Sequence, residues 1–125
     1  MKKFFTALFV LFALSITPAI AQGGNLQFNQ VIVYELDGQN PTAFTVPADK
    51  VWKIESASSG YYSSTVYLRN TAGDFLATLY SSNLGYRVHF PYWLPSNFSG
   101  DFIRYGNVSS GPKSTISIIE FNVIP

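Results

Sequence analysis

Thr65-Val66-Tyr67-Leu68-Arg69-Asn70-Thr71-Ala72-Gly73-Asp74-Phe75-Leu76-Ala77-Thr78-Leu79-Tyr80 reads as strand, turn, strand. Val66 and Leu68 alternate with Thr65, Tyr67 and Arg69, which is the period of a half-buried strand. Thr71 to Asp74 carries the small, polar and glycine residues of a tight turn. After it, Phe75, Ala77 and Leu79 resume the alternation as the expected inward set, which leaves Tyr80 outward.

The same period runs outward from this hairpin in both directions. Upstream, Leu26 to Leu36 places Phe28, Ile32, Tyr34 and Leu36 on one face. Gln27, Asn29 and Glu35 fall on the other, where Val31 and Val33 make it only half polar. Asp37 to Pro41 is a loop with an Asp-Gly turn signal. Phe44 to Val46 is extended up to Pro47, and Ala48-Asp49-Lys50 turns the chain into Val51 to Ala57, with Trp52 and Ile54 inward. Downstream, Tyr86 to Leu94 alternates Tyr86, Val88, Phe90, Tyr92 and Leu94 against Arg87, His89, Pro91 and Trp93. Prolines 91 and 95 belong at a strand edge or end, because proline cannot donate to a ladder. Phe102 to Tyr105 is a short strand, Asn107 to Lys113 a loop, and Thr115 to Val123 the last strand. In that strand the apolar phase changes between Ile118 and Ile119, as a β-bulge would cause. No ten-residue stretch is amphipathic at the helical period. Seven or eight short strands spaced by turns predict an all-β chain, a single antiparallel β-sandwich of jelly-roll type.

The first residues have a separate logic. Lys2 and Lys3 precede an apolar run of 13 residues, Phe4 to Ile16, and Ala19-Ile20-Ala21 offers a small-x-small cleavage site. This predicts a signal peptide over residues 1–21, removed on export, and a domain over 22–125. The run is too short for a spanning helix, which needs roughly 20 residues. The expected location is therefore secreted: periplasmic, cell-surface or extracellular. Without Lys2 and Lys3, six basic and seven acidic residues remain, a net charge of −1. The basic residues are scattered, without the clustered stripe that nucleic acid requires. No basic amphipathic helix points to a membrane surface. There is no cysteine, so the domain must fold on packing alone or with partner copies. Seventeen aromatics follow residue 21 (seven Phe, eight Tyr, two Trp), and large rings supply much buried area each.

Catalytic chemistry finds little support. His89 is the only histidine, and it falls at an outward position without the partners of a triad or zinc site. Ser110-Gly111-Pro112-Lys113 matches Ser-x-x-Lys, but acyl-serine enzymes set that serine at the start of a helix, and here the spacer is a turn. Paired carboxylates across a cleft would be needed for glycoside hydrolysis. Glu35, Asp37, Asp49, Glu55, Asp74, Asp101 and Glu120 are spread along the chain, mostly at turns. The expectation is a protein that is not an enzyme and holds no cofactor. Loop oxygens of Asp37, Asn40 and Asp101 are the one candidate set for calcium, without the spaced acidic run that would support it. Asn97-Phe98-Ser99 and Asn107-Val108-Ser109 match the glycosylation acceptor pattern and carry no functional weight.

The aromatic surplus carries the functional expectation. Tyr61 and Tyr62 follow a Ser-Ser-Gly break, and Tyr67, Tyr80 and Trp93 fall on the outward phase of their strands. Rings on a rigid sheet serve either as sugar platforms or as contacts between proteins. A coplanar row on one face would favour a glycan, whereas rings covered by another copy would favour assembly. The leading expectation is a structural, surface or self-assembling protein and homo-oligomer. The alternative is a carbohydrate-binding or adhesin-like module that uses the same rings on a surface glycan.

Three segments carry a resemblance. Thr45-Val46-Pro47-Ala48-Asp49-Lys50-Val51-Trp52-Lys53-Ile54, Phe90-Pro91-Tyr92-Trp93-Leu94-Pro95 and Ser117-Ile118-Ile119-Glu120-Phe121-Asn122 resemble "TVPAGKVWKI", "FPxWLP" and "SIIEFN" segments of a group of small exported bacterial β-sandwich proteins. The Val-Pro-Ala-Gly corner is also similar to corners in jelly-roll modules of fibre and tail-tip proteins. The resemblance implies fold and export. It brings no activity and no site residues, and Asp49 stands where the pattern has glycine, which implies a different turn there.

Overall fold

The structure, a computed structural model, describes residues 25–60, 63–82, 88–106 and 112–124. Eight strands form within them: β1 (Asn25–Leu36), β2 (Thr42–Thr45), β3 (Lys50–Ser59), β4 (Ser64–Asn70), β5 (Phe75–Ser81), β6 (Tyr92–Leu94), β7 (Ser99–Gly106) and β8 (Ser114–Ile124). They build two antiparallel four-stranded sheets, in the orders β1-β8-β3-β6 and β2-β7-β4-β5. This is the order of an eight-stranded jelly roll, and the sandwich class and strand number agree with the turn spacing. We call the sheets A and B. The residues read as signal peptide, together with Tyr61, Tyr62, Tyr86, Arg87, Asn107 and Ser110, lie outside the described residues.

The hairpin quoted first is closed by Gly73 at φ 89°, a conformation that favours glycine. Gly73 N donates to Asn70 O at 3.0 Å, and Asp74 N donates to Asn70 Oδ1 at 2.9 Å. The Asp49 turn closes by Lys50 N donating to Pro47 O at 3.1 Å. Asp49 needs no positive φ there, which is why a non-glycine residue fits.

The core lies between the sheets. Sheet A contributes Leu36, Trp52, Ile54, Leu94, Ile116 and Ile118, while sheet B and its loops contribute Phe44, Val46, Val66, Leu68, Leu79 and Phe102. Its centre is aromatic. Phe44 stacks on Phe102 at 4.4 Å between centroids, and Tyr34 reaches both from the opposite sheet while also meeting Trp52 at 6.0 Å. Rings therefore join the two sheets of a domain that has no disulfide.

Four expectations need correction. First, Phe28 does not share a face with Ile32. An extra residue at Asn29 shifts the β1–β8 register between Phe28 and Gln30, so Phe28 points outward, opposite Phe121. Second, β8 has no bulge. Its burial alternates without a break through Ser114, Ile116, Ile118 and Glu120, and the bulges lie in its neighbours, β1 and β3. The phase change is chemical: a glutamate faces inward and a phenylalanine outward. Third, β5 slips twice against β4. Phe75 turns out to solvent, and Tyr80, expected outward, packs against the core. Fourth, among the described residues 88–94 only Tyr92–Leu94 forms a strand, and Pro91 before it has no N–H to give a ladder.

Candidate interaction surface

Residues directly opposite one another on neighbouring strands point to the same face. On the outer face of sheet A this rule assembles three apolar rows. Trp93 of β6 lies beside Lys53 of β3, Ile119 of β8 and Val31 of β1. Val51, Phe121 and Phe28 form the next row, and Val123 faces Leu26 beyond it. On the other side Val33 sits opposite Ser117, and the face then turns to hydroxyls, with Ser58 and Thr115 hydrogen-bonded at 2.7 Å.

Leu26, Phe28, Val31, Val33 and Trp93 are 45–59% exposed. Together they present on the order of 500 Å² of apolar surface, the size at which a patch on a monomer is commonly functional. Trp93 packs on Phe121 at 5.8 Å and 32°, with the Lys53 ammonium 5.6 Å from its ring centroid. Lys53 is also paired with Glu55, so the charge interrupting the face is compensated locally.

Sheet B carries a smaller cluster on its own outer face. Tyr67, Phe75 and Tyr105 meet in a triangle of 4.8, 5.8 and 6.0 Å, at interplanar angles of 55–68°. Phe75 is 56% and Tyr105 41% exposed. Beside them Arg69 grips Asp101 through two hydrogen bonds of 2.8 and 3.0 Å.

The residues singled out from sequence therefore do not share one surface. Trp93 faces outward on sheet A, Tyr67 is half-buried on the outside of sheet B, and Tyr80 is half-buried against the core. Tyr61 and Tyr62 lie outside the described residues. A row of coplanar rings is not formed by Tyr67, Tyr80 and Trp93. Phe28, Val31, Val33 and Leu26 complete the larger surface. The signal for the valines was present in the sequence, as an outward face left half apolar. Phe28 was hidden by the bulge.

Glu120 is inside the sandwich, 3% exposed. It accepts from Trp52 Nε1 at 2.7 Å, Asn29 Nδ2 at 2.6 Å and Gln30 Nε2 at 2.9 Å. Burial alone would push its carboxyl up. The three donors, with the positive charge of Lys50, outweigh that and hold it below the usual carboxylate range. Tyr34 is pushed up, by burial first and by the Glu120 charge second. Asp101, one of the three calcium candidates, is bound to Arg69 instead, and no cluster of three or more His, Cys, Asp or Glu forms among the described residues. Glu35 pairs with Lys113 at 2.7 Å on the surface, and His89 is exposed. No protein-family model matches the chain, and a search of curated proteins finds no match.

Proposed function

We propose that this is an exported, non-catalytic interaction protein that associates with further copies of itself, as a structural or surface component. The observation that carries the reading is the outer face of sheet A. Five large apolar side chains stand about half exposed there, in register across strands, on a chain of low charge. An apolar patch of this size often marks an interaction site. Its area approaches the roughly 800 Å² per partner of a standard stable interface, with the half-buried Val51, Ile119, Phe121 and Val123 filling the gaps. Rigid sheet rather than loop carries it, which favours a packed contact over an adaptable one.

The test is charge placed on the face. Phe28→Asp with Val31→Asp is expected to weaken self-association at least about tenfold, because two carboxylates would have to be desolvated in the contact. Phe75→Asp, equally exposed on sheet B, is the control and leaves it unchanged. Sedimentation across a concentration series reads both. Equal behaviour of the two variants would overturn the assignment of the face.

A carbohydrate-binding reading draws on Trp93 on sheet A and on Phe75 and Tyr105 beside the Arg69–Asp101 pair on sheet B. Tilted rings offer a sugar one stacking surface at a time rather than a flat row. Glycan affinity that falls in Trp93→Ala, on protein kept monomeric by dilution, would favour this reading over assembly.

A further inference from the structure

A jelly roll of two open sheets has four edge strands, and each must satisfy or protect its outward backbone groups. Three are defended here. β6 is three residues long, β2 is four, and β5 breaks register twice. β1 is different. It runs for twelve residues at the edge of sheet A, pairs only with β8 among the described strands, and carries one charged residue, Glu35. Its single break lies between Phe28 and Gln30, which leaves Gln30–Leu36 as seven residues in unbroken register. Negative design against edge pairing usually relies on short length, bulges or charge, and this stretch has only the glutamate.

The geometry points to Gln30–Leu36 as the docking edge for a second copy of this chain, paired antiparallel about a two-fold axis at Val33. This rests on the self-association proposed above and adds an edge contact to its outer-face contact. The register follows from the stretch itself. Full overlap of seven residues with their own reversed copy puts Val33 opposite Val33, Val31 opposite Glu35 and Ile32 opposite Tyr34. Outer-face residues then meet outer-face residues, as a pleated ladder demands. The two glutamates never face each other, so the pairing carries no like-charge contact at its seam. The apolar rows of one sheet A continue into those of the other. Two four-stranded sheets become one of eight strands, with a closed two-fold interface rather than an open chain of copies. A second copy is the occupant because exposed Val31 and Val33 bring the apolar face of sheet A to this edge, where a copy's own apolar residues continue it, and because the one charge, Glu35, meets Val31 rather than itself.

The chain has no cysteine, so a single thiol reports proximity cleanly. Val33→Cys is exposed in the monomer, as is the control Leu76→Cys on β5. Opposite residues in a ladder hold their Cβ atoms about 4.5–5.5 Å apart, close to disulfide reach. Mild oxidation of the full exported chain should therefore yield a covalent dimer of Val33→Cys and at least about tenfold less from Leu76→Cys, the proximity difference itself being the readout. Hydrogen exchange is the second measurement, on unsubstituted protein. Backbone amides of Gln30–Leu36 that face outward should slow about tenfold or more at associating concentration relative to dilute protein. Four outcomes separate the claims. Cross-linking at Val33 with concentration-dependent protection supports edge pairing. Association without either sign overturns edge pairing and leaves the apolar face as the contact. Protection of these amides in a monomer at every dilution means another segment occupies the edge, and overturns the second copy. A monomer with fast-exchanging β1 amides overturns both this inference and the proposed self-association.

Discussion

Glu120 ties the fold to pH. It sits on the inward side of β8 beyond Ile118, where the core gives way to Trp52, Asn29 and Gln30. Those three donors need an acceptor, and an ionised carboxylate accepts from all of them. A carboxyl held low in the folded state adds stability above its unfolded pKa, near 4.3 for glutamate, and loses it as pH falls through the folded value. Stability should therefore drop on acidification below about pH 4, part of it through Glu120. Glu120→Gln replaces one acceptor with a competing donor. It should lower stability at neutral pH by about 1–3 kcal/mol and flatten the acid limb. Chemical denaturation at pH 7 and at pH 3 checks both; an unchanged acid limb would mean the carboxylate does not carry the dependence. Trp52 contributes on two counts, as a buried ring against Phe44 and as a donor to Glu120. Trp52→Ala should cost about 3–5 kcal/mol, the range for losing a large core ring. A loss below about 1 kcal/mol would contradict the core described here.

At the scale of the element, stretches of strict alternation are legible in the sequence and bulges are not. β4, and β3 as far as its bulge after Ile54, alternate strictly, so Trp52, Ile54, Val66 and Leu68 are buried as their spacing requires. β1 and β5 contain extra residues, and one extra residue exchanges the faces of everything beyond it. Nothing local announces Asn29 or the two slips of β5; they are set by the partner strand. Plain alternation therefore exchanges Tyr80 and Phe75. The exchange is measurable: Tyr80→Ser should cost about 2 kcal/mol or more and Phe75→Ser under about 1 kcal/mol in urea denaturation. The reverse order would restore the unbulged register. Close strand approach makes a further demand at Gly100 on β7, opposite Asn70. A Cβ there would run into the Arg69 carbonyl oxygen, which belongs to backbone and cannot turn aside. Gly100→Ala should therefore shift the β4–β7 ladder and lower stability by about 2 kcal/mol, read as a lower urea midpoint.

For the whole molecule, the number of strands and the sandwich class follow from turn spacing, but the jelly-roll order depends on contacts between distant strands. β8 lies between β1 and β3, so the last strand closes against the first. That closure leaves β1 at an edge and turns Leu26, Phe28, Val31 and Val33 to one outer face beside Trp93. Outward rings are the more conspicuous signal in the sequence, whereas the larger surface is mixed, with Leu26, Val31 and Val33 supplying much of it. The aromatic core explains how a domain without disulfides closes, and the apolar face explains why the surplus exceeds what a core needs. The same face is the reason to expect more than one copy. The most direct measurement is the mass in solution of residues 22–125, by light scattering across a concentration series. A discrete dimer or larger closed assembly that dissociates on dilution is the predicted result. A monomer at every concentration, with its apolar face left to water, would contradict it.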